Sequence, residues 1–173
     1  MGEIATESEK AWYAVRTRPR HEKIAAKALE TLGHEPFLPL GRERRQWSDR
    51  MKITEFPIFP GYLFCRFCWE RRLPILTSPG VTSIISFGSK PTPVDPGEIA
   101  SLQKVVASGM SLKPQPFLAL GTRVRIERGA LEGVEGILTA HKNTQRLVVN
   151  ITLLQRSVAA EIDREFVSAV SPV

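Results

Sequence analysis

The run Phe59-Pro60-Gly61-Tyr62-Leu63-Phe64-Cys65-Arg66-Phe67 constrains the fold more than any other stretch. Pro-Gly sets a sharp turn, because proline fixes φ and glycine adopts backbone conformations that other residues avoid. The aromatic-rich run that follows reads as a strand. Side chains alternate along a strand, so Tyr62 and Phe64 point to one side and Leu63 and Cys65 to the other. Both sides are then apolar. One meets the core of its own domain. The other is either covered within the same domain, giving a strand buried on both faces, or is a hydrophobic docking groove for a partner.

The chain has 173 residues, of which 42% are hydrophobic. That is enough for a packed core and allows one medium domain or two small ones. No apolar run approaches the roughly 18–20 residues that a membrane-spanning helix needs, so no membrane association is expected. Residues 1–10 carry Glu3, Glu7 and Glu9 and no apolar segment, so they read as a flexible N-terminus and not as a secretion signal. Two cysteines cannot form a disulfide scaffold, and a reducing cytoplasm is the expected location.

The net charge of +6 is concentrated. Five of the six surplus positive charges lie in residues 1–116, and a net +3 falls between Arg42 and Lys52, with Trp47 in the middle. Extended runs on either side of this segment make it a β-hairpin with a charged tip. Arg side chains bind phosphates, and Trp47 can stack on an unpaired base. A solvated charged edge that discourages strand aggregation is an equal reading.

Around these features the pattern is regular. Trp12–Arg18 reads as a strand. Pro19 opens a helix whose stripe is Ile24, Ala25, Ala28, Leu29 and Leu32, with Gly33 at its end. Glu35–Leu40, the hairpin, Gly61–Phe67 and Val81–Phe87 are strands, and Arg71–Thr77 is a short helix. Asp95-Pro96-Gly97-Glu98 starts a second helix with a capping-box spacing, and its stripe is Ile99, Leu102, Val105 and Val106. This mix is an α+β domain over 11–109 with an antiparallel sheet. Met110–Leu120 contains Lys113-Pro114-Gln115-Pro116, shows no periodicity and reads as a linker over 110–119. Short strands follow at Thr122–Glu127, Val134–Ala140, Leu147–Leu153 and Arg156–Ile162, with Lys142-Asn143 as a turn. They suggest a small all-β barrel over 120–173. Leu153–Val170 also admits a helical reading.

Motifs for chemistry are absent. There is no P-loop, no dinucleotide fingerprint and no nucleophile elbow, so no enzyme and no cofactor are expected. Cys65 and Cys68 form a C-x-x-C, but residues three apart in a strand point to opposite faces, so no metal or redox site is expected there.

Trp12-Tyr13 opening a strand, then a helix, then Phe59-Pro60-Gly61-Tyr62 and Gly80-Val81, resembles the N-terminal domain of the NusG transcription factors. Gly121, Val124, Arg125, Ile126, Gly129, Leu131, Glu132, Gly133, Val134 and Gly136 resemble the KOW motif of the same family. The resemblance covers about residues 11–170. It implies an NGN-like domain followed by an SH3-like KOW barrel, in a monomeric elongation factor. Such a factor binds RNA polymerase at the clamp helices of the largest subunit, keeps the clamp closed and suppresses pausing.

By position, Phe59, Tyr62 and Phe64 would form the docking surface, with Tyr13 nearby. Arg44, Arg45, Trp47 and Arg50 would approach upstream or non-template DNA, and Arg71–Ile75 would supply a contact on the far side of the channel. Leu131, Val134, Leu153, Leu154 and Arg156 fall on the KOW loops that recruit Rho or a small-subunit ribosomal protein. Housekeeping members carry aromatic residues there. The aliphatic residues here, and Leu63-Phe64 after Tyr62, are more similar to the specialised antiterminators of the RfaH and UpxY kind. A housekeeping NusG and a KOW-type RNA-binding or ribosomal protein are the alternatives.

Overall fold

The computed structural model describes residues 9–141 and 143–170. Nearly all of the expected flexible N-terminus, and Lys142 of the expected turn, lie outside the described residues. In chain order the elements are β1 (Ala11–Thr17), α1 (Glu22–Thr31), β2 (Glu35–Phe37), β3 (Leu40–Trp47), β4 (Arg50–Pro57), β5 (Tyr62–Phe67), α2 (Leu73–Leu76), β6 (Val81–Ile84), β7 (Ser86–Phe87) and β8 (Lys90–Pro91). They continue with α3 (Pro96–Ala107), β9 (Leu112–Pro116), β10 (Thr122–Ile126), β11 (Glu135–His141), β12 (Thr144–Ile151), β13 (Arg156–Ile162) and β14 (Val167–Ala169). The chain divides into two compact units, Met1–Leu38 with Pro60–Asp95, and Pro39–Phe59 with Pro96–Val173. The hairpin and α3 therefore group with the second unit, whereas the sequence places them in a domain spanning 11–109.

The first unit is an α+β layer. Its sheet runs β2-β5-β1-β6 and is antiparallel throughout. In the register Tyr13 faces Cys65 and Val15 faces Leu63. These four join Phe67, Ile84, Ala25, Leu29 and Ile75 in one buried cluster, so α1 and α2 cover this face. α1 starts at Glu22 rather than at Pro19, because Arg20 takes a left-handed conformation (φ 62°) that breaks the helical path. Its stripe is also narrower than expected. Ala25 and Leu29 are buried, while Ile24 and Leu32 are exposed. Gly33 ends the helix as expected, at φ 80°, with the His34 amide donating to the Leu29 carbonyl.

The second unit contains a six-stranded antiparallel sheet in the order β14-β10-β11-β12-β13-β9. Its core includes Val124, Ile126, Leu147, Val149, Ile151 and Val158. The Leu153–Val170 stretch forms β13 and β14, so the helical alternative does not hold. The expected linker is corrected in part. Leu112–Pro116 pairs with β13, from Leu112 opposite Ala160 to Pro116 opposite Arg156. Two prolines are tolerated because β9 is an edge strand, where a missing N–H can face away from the ladder.

The β3–β4 hairpin is a two-stranded ribbon from Leu40↔Pro57 to Trp47↔Arg50. Such a ribbon is marginal alone. At its base the Phe56 ring lies directly over its own cross-strand partner Gly41, where any Cβ would collide with it. Gly41→Ala forces that ring aside, at a cost of about 1–3 kcal/mol. The expected outcome is faster amide exchange across β3 and β4, with β1 and β5 unchanged.

Candidate functional site

Three surfaces hold the residues singled out by the sequence, and the structure redistributes them. On the second face of the first unit's sheet, Ala14 lies opposite Phe64, Arg16 opposite Tyr62 and Phe37 opposite Phe64. Phe37 stacks on Phe64 at 6.2 Å between ring centroids, and Trp12 meets Phe37 edge-on at 6.4 Å. An aromatic layer therefore lines the face turned away from α1 and α2. Phe64 is buried and Tyr62 is half-buried. Phe59 is buried as well, just before the turn.

Tyr13 does not belong to this layer. Its register with Cys65 points it under α1, where its ring packs 4.7 Å from Phe67 and 5.3 Å from Trp69. Burial first, then the charge of Glu70 and then Cys68, raises its phenol pKa above the usual value. Trp12 and Phe37 are the members that sequence reasoning passed over. Cross-strand register, and not local pattern, brings them beside Phe64.

The hairpin exposes its charged residues, but on two sides. Alternation places Arg45 and Trp47 on one face with their partners Lys52 and Arg50. Arg44 falls on the other face, opposite Ile53 and beside Gln46 opposite Met51. Trp47 is 57% exposed, and the Lys52 ammonium sits 5.4 Å from its ring centroid. Arg45 reaches Glu43 at 3.1 Å, and Arg42 reaches Glu55 at 3.6 Å. Pairs this exposed contribute about 0–1 kcal/mol and exchange readily for another anion.

In the second unit Leu131 and Val134 are buried, Leu153 and Leu154 are half-buried, and Arg156 is exposed. Helix α3 explains part of this. The Glu98 carboxylate accepts hydrogen bonds from the Thr152 amide at 3.2 and 3.1 Å and from its hydroxyl. The Lys104 ammonium donates to the Glu132 carbonyl at 2.9 Å. Both KOW loops are thus tied to one helix. Glu98 reads from sequence as a local capping residue, because nothing in its neighbourhood foretells Thr152.

In the segment expected to contact the far side of the channel, Leu73 is 67% exposed and Ile75 is buried. The Arg72 guanidinium lies 4.9 Å over the Trp69 ring. Among the described residues no group of three or more His, Cys, Asp or Glu is placed to hold a metal, and no helix is long and apolar enough to cross a membrane. Cys65 is buried, and burial pushes its thiol up to about 12, against a smaller lowering by backbone hydrogen bonds.

Two measurements check these placements. A thiol-reactive dye at mildly alkaline pH is expected to label Cys68 in the native protein and Cys65 only after unfolding; rapid double labelling contradicts the burial of Cys65. Glu98→Ala removes the acceptor for Thr152. Its amide is then expected to exchange at least tenfold faster, corresponding to a loss of about 1.5–3 kcal/mol from a hydrogen bond to a charged group.

Residues 10–103 match the family described as "Transcription termination factor nusG". The chain is similar to the transcription termination/antitermination protein NusG of Helicobacter pylori, at 25% identity over 87% of this chain and 93% of that protein. The NusG of Thermus thermophilus is also 25% identical, over 88% of this chain and 94% of its own length. A solved structure describing domain interaction in Thermotoga maritima NusG covers 94% of this chain and 98% of that one, with a TM-score of 0.55 at 21% identity, a likeness of fold. With an N-terminal α+β unit, a C-terminal all-β sheet and a family match over more than half its length, the chain belongs to the NusG family of transcription termination and antitermination factors.

Proposed function

We propose that this protein binds elongating RNA polymerase at the clamp helices of the largest subunit, suppresses pausing and promotes antitermination on particular operons. The observation that supports this best is the aromatic layer of Trp12, Phe37, Tyr62 and Phe64 on the sheet face opposite α1 and α2. Aromatic anchors in apolar surroundings are the side chains that dominate protein interfaces. Trp12, Phe37 and Tyr62 are half-buried and form the accessible part of the layer. Phe64 is buried and supports the layer from below.

No covalent chemistry is assigned to the protein. Holding the clamp against the opposite side of the channel is a binding effect, in which the closed state gains whatever contact energy the open state lacks. The basic hairpin would contact upstream or non-template DNA, and Leu73 with Arg71 would face the far side. The KOW loops would serve a protein partner, Rho or a small-subunit ribosomal protein in the housekeeping manner. The aliphatic Leu131, Val134, Leu153 and Leu154 favour a specialised role over that one. All of this takes place in the cytoplasm, with the protein as a monomer.

Tyr62→Ala tests the anchor. Loss of a central aromatic anchor costs about 2 kcal/mol or more, so affinity for core polymerase is expected to fall roughly thirtyfold, with the thermal midpoint nearly unchanged. Unaltered affinity rejects the docking surface. In single-round transcription the wild type is expected to shorten pauses on a responsive template, and no effect on pausing or termination on any template rejects the antiterminator reading.

A further inference from the structure

The segment that follows α3 is shaped as a last strand. Lys113 and Gln115 each precede a proline, which biases both toward extended backbone before any contact forms. Proline donates no hydrogen bond, so the ladder to β13 rests on Lys113 opposite Ala159 and on Gln115 opposite Ser157. Pro114 and Pro116 then turn their nitrogens outward. The outer edge of β9 offers no N–H at either position, so a further strand finds little to pair with.

A side chain extends this attachment past the end of β9. The Asn150 amide, on β12, donates to the Leu118 carbonyl at 2.8 Å, and its oxygen stands 3.5 Å from the Leu118 nitrogen. That oxygen also accepts from the hydroxyl of the buried Ser157. Asn150 thus meets the backbone of Leu118 as a neighbouring strand would. Two residues further on, Leu120 is 84% exposed. The attachment is slender. From Leu112 to Leu118 only Leu112 is buried, while Lys113, Pro114 and Pro116 are exposed. The entropy of ordering this backbone opposes few bonds and little burial, so the segment stands close to release.

We propose that residues 112–118 are a reversible strap. Docked along β13 and clipped by Asn150, the strap leaves only residues 108–111 between itself and α3. Fully extended, the path from Ala107 to Leu112 is at most about 17 Å. With the strap released, the connection runs from Ala107 to Thr122, and the same bound rises to about 50 Å. The strap therefore sets how far the second sheet can travel from α3 once the bonds made by Glu98 and Lys104 part. This needs neither polymerase nor nucleic acid, so its failure and the failure of the docking reading are separate events.

Native-state amide exchange on the full chain tests the strap. The Lys113 and Gln115 amides are expected to exchange about tenfold or more slower than unstructured chain, yet about tenfold or more faster than Val148 and Val149 in β12, through an opening that leaves β12 closed. Asn150→Ala removes both contacts to Leu118. It is expected to speed exchange at Lys113 and Gln115 about tenfold, the worth of roughly one hydrogen bond. Chymotrypsin is then expected to cut after Phe117 faster in proportion, since cleavage follows the open population. That substitution also takes a partner from Ser157, so Gln115→Pro is the second variant. It removes one ladder donor without altering β12 or β13, and the same acceleration is expected at Lys113 and Phe117 with Val148 and Val149 unchanged. Exchange of Lys113 and Gln115 only together with β12, or as fast as unstructured chain, overturns the strap. So does a Gln115→Pro variant in which β12 accelerates as much as β9, or in which cleavage after Phe117 is unchanged.

Discussion

The Glu22 carboxylate holds the arrangement of the first unit together. It is buried at the first turn of α1 and accepts a hydrogen bond from the Gly61 amide at 2.9 Å. The Gly61 carbonyl accepts in turn from the Thr17 amide at 2.8 Å. Gly61 stands at φ 83°, a conformation that strains any residue with a side chain. The turn is thereby pinned to α1 and to the end of β1 before β5 begins, which fixes how β5 aligns with β1. A slip of one residue exchanges the two faces of a strand. This single contact therefore helps decide that Leu63 and Cys65 enter the core and that Tyr62 and Phe64 join Trp12 and Phe37 on the other side.

That dependence explains what the sequence revealed and what it withheld. Local patterns identified β1, the Pro60-Gly61 turn, β5 and the strands of the second sheet, because alternation and turn residues act over a few positions. The resemblance carried by Phe59-Pro60-Gly61-Tyr62 and by the glycine-rich KOW run pointed to the right family. The start of α1 escapes the pattern for a local reason, the left-handed Arg20, but most of what the sequence withheld concerns partners distant in sequence. Tyr13 sits near the expected docking residues Phe59, Tyr62 and Phe64 in motif order, but it points to the opposite face of the sheet from Tyr62 and Phe64. Arg44 and Arg45 are neighbours in a basic run yet face opposite ways. Pro114 and Pro116 argue for a linker until β13 is known to present an edge. Glu98 reads as a cap from its spacing alone, and its bonds to Thr152 are an addition that spacing does not reveal.

Charge acquires a different meaning once register is known. Residues 117–173 are nearly neutral, so the sheet they form is poorly suited to general nucleic-acid binding and better suited to a protein partner. The basic excess of the hairpin is split by the pleat. Arg45, Arg50 and Lys52 share a face with Trp47, and Arg42 and Arg44 share one with Met51 and Ile53. A count of charges along the chain sums the two faces, although a single ligand strand meets only one.

Three cations and one ring make a weak site by themselves. If each cation displaces one counterion from a single strand, the logarithm of affinity falls by only about 2 per tenfold rise in salt. Stacking adds about 1–3 kcal/mol. Such a contact is inadequate as a sole anchor at cellular salt. It suffices when the protein is already held nearby, because a tethered second contact works at an effective concentration in the millimolar range. The aromatic layer, if docked on polymerase, supplies that tether without depending on salt. The hairpin's weakness then becomes useful. A hairpin contact with DNA of the kind proposed would engage where a strand is presented within reach and release when it is withdrawn, so a factor held by apolar contacts would respond to the state of the nucleic acid beside it.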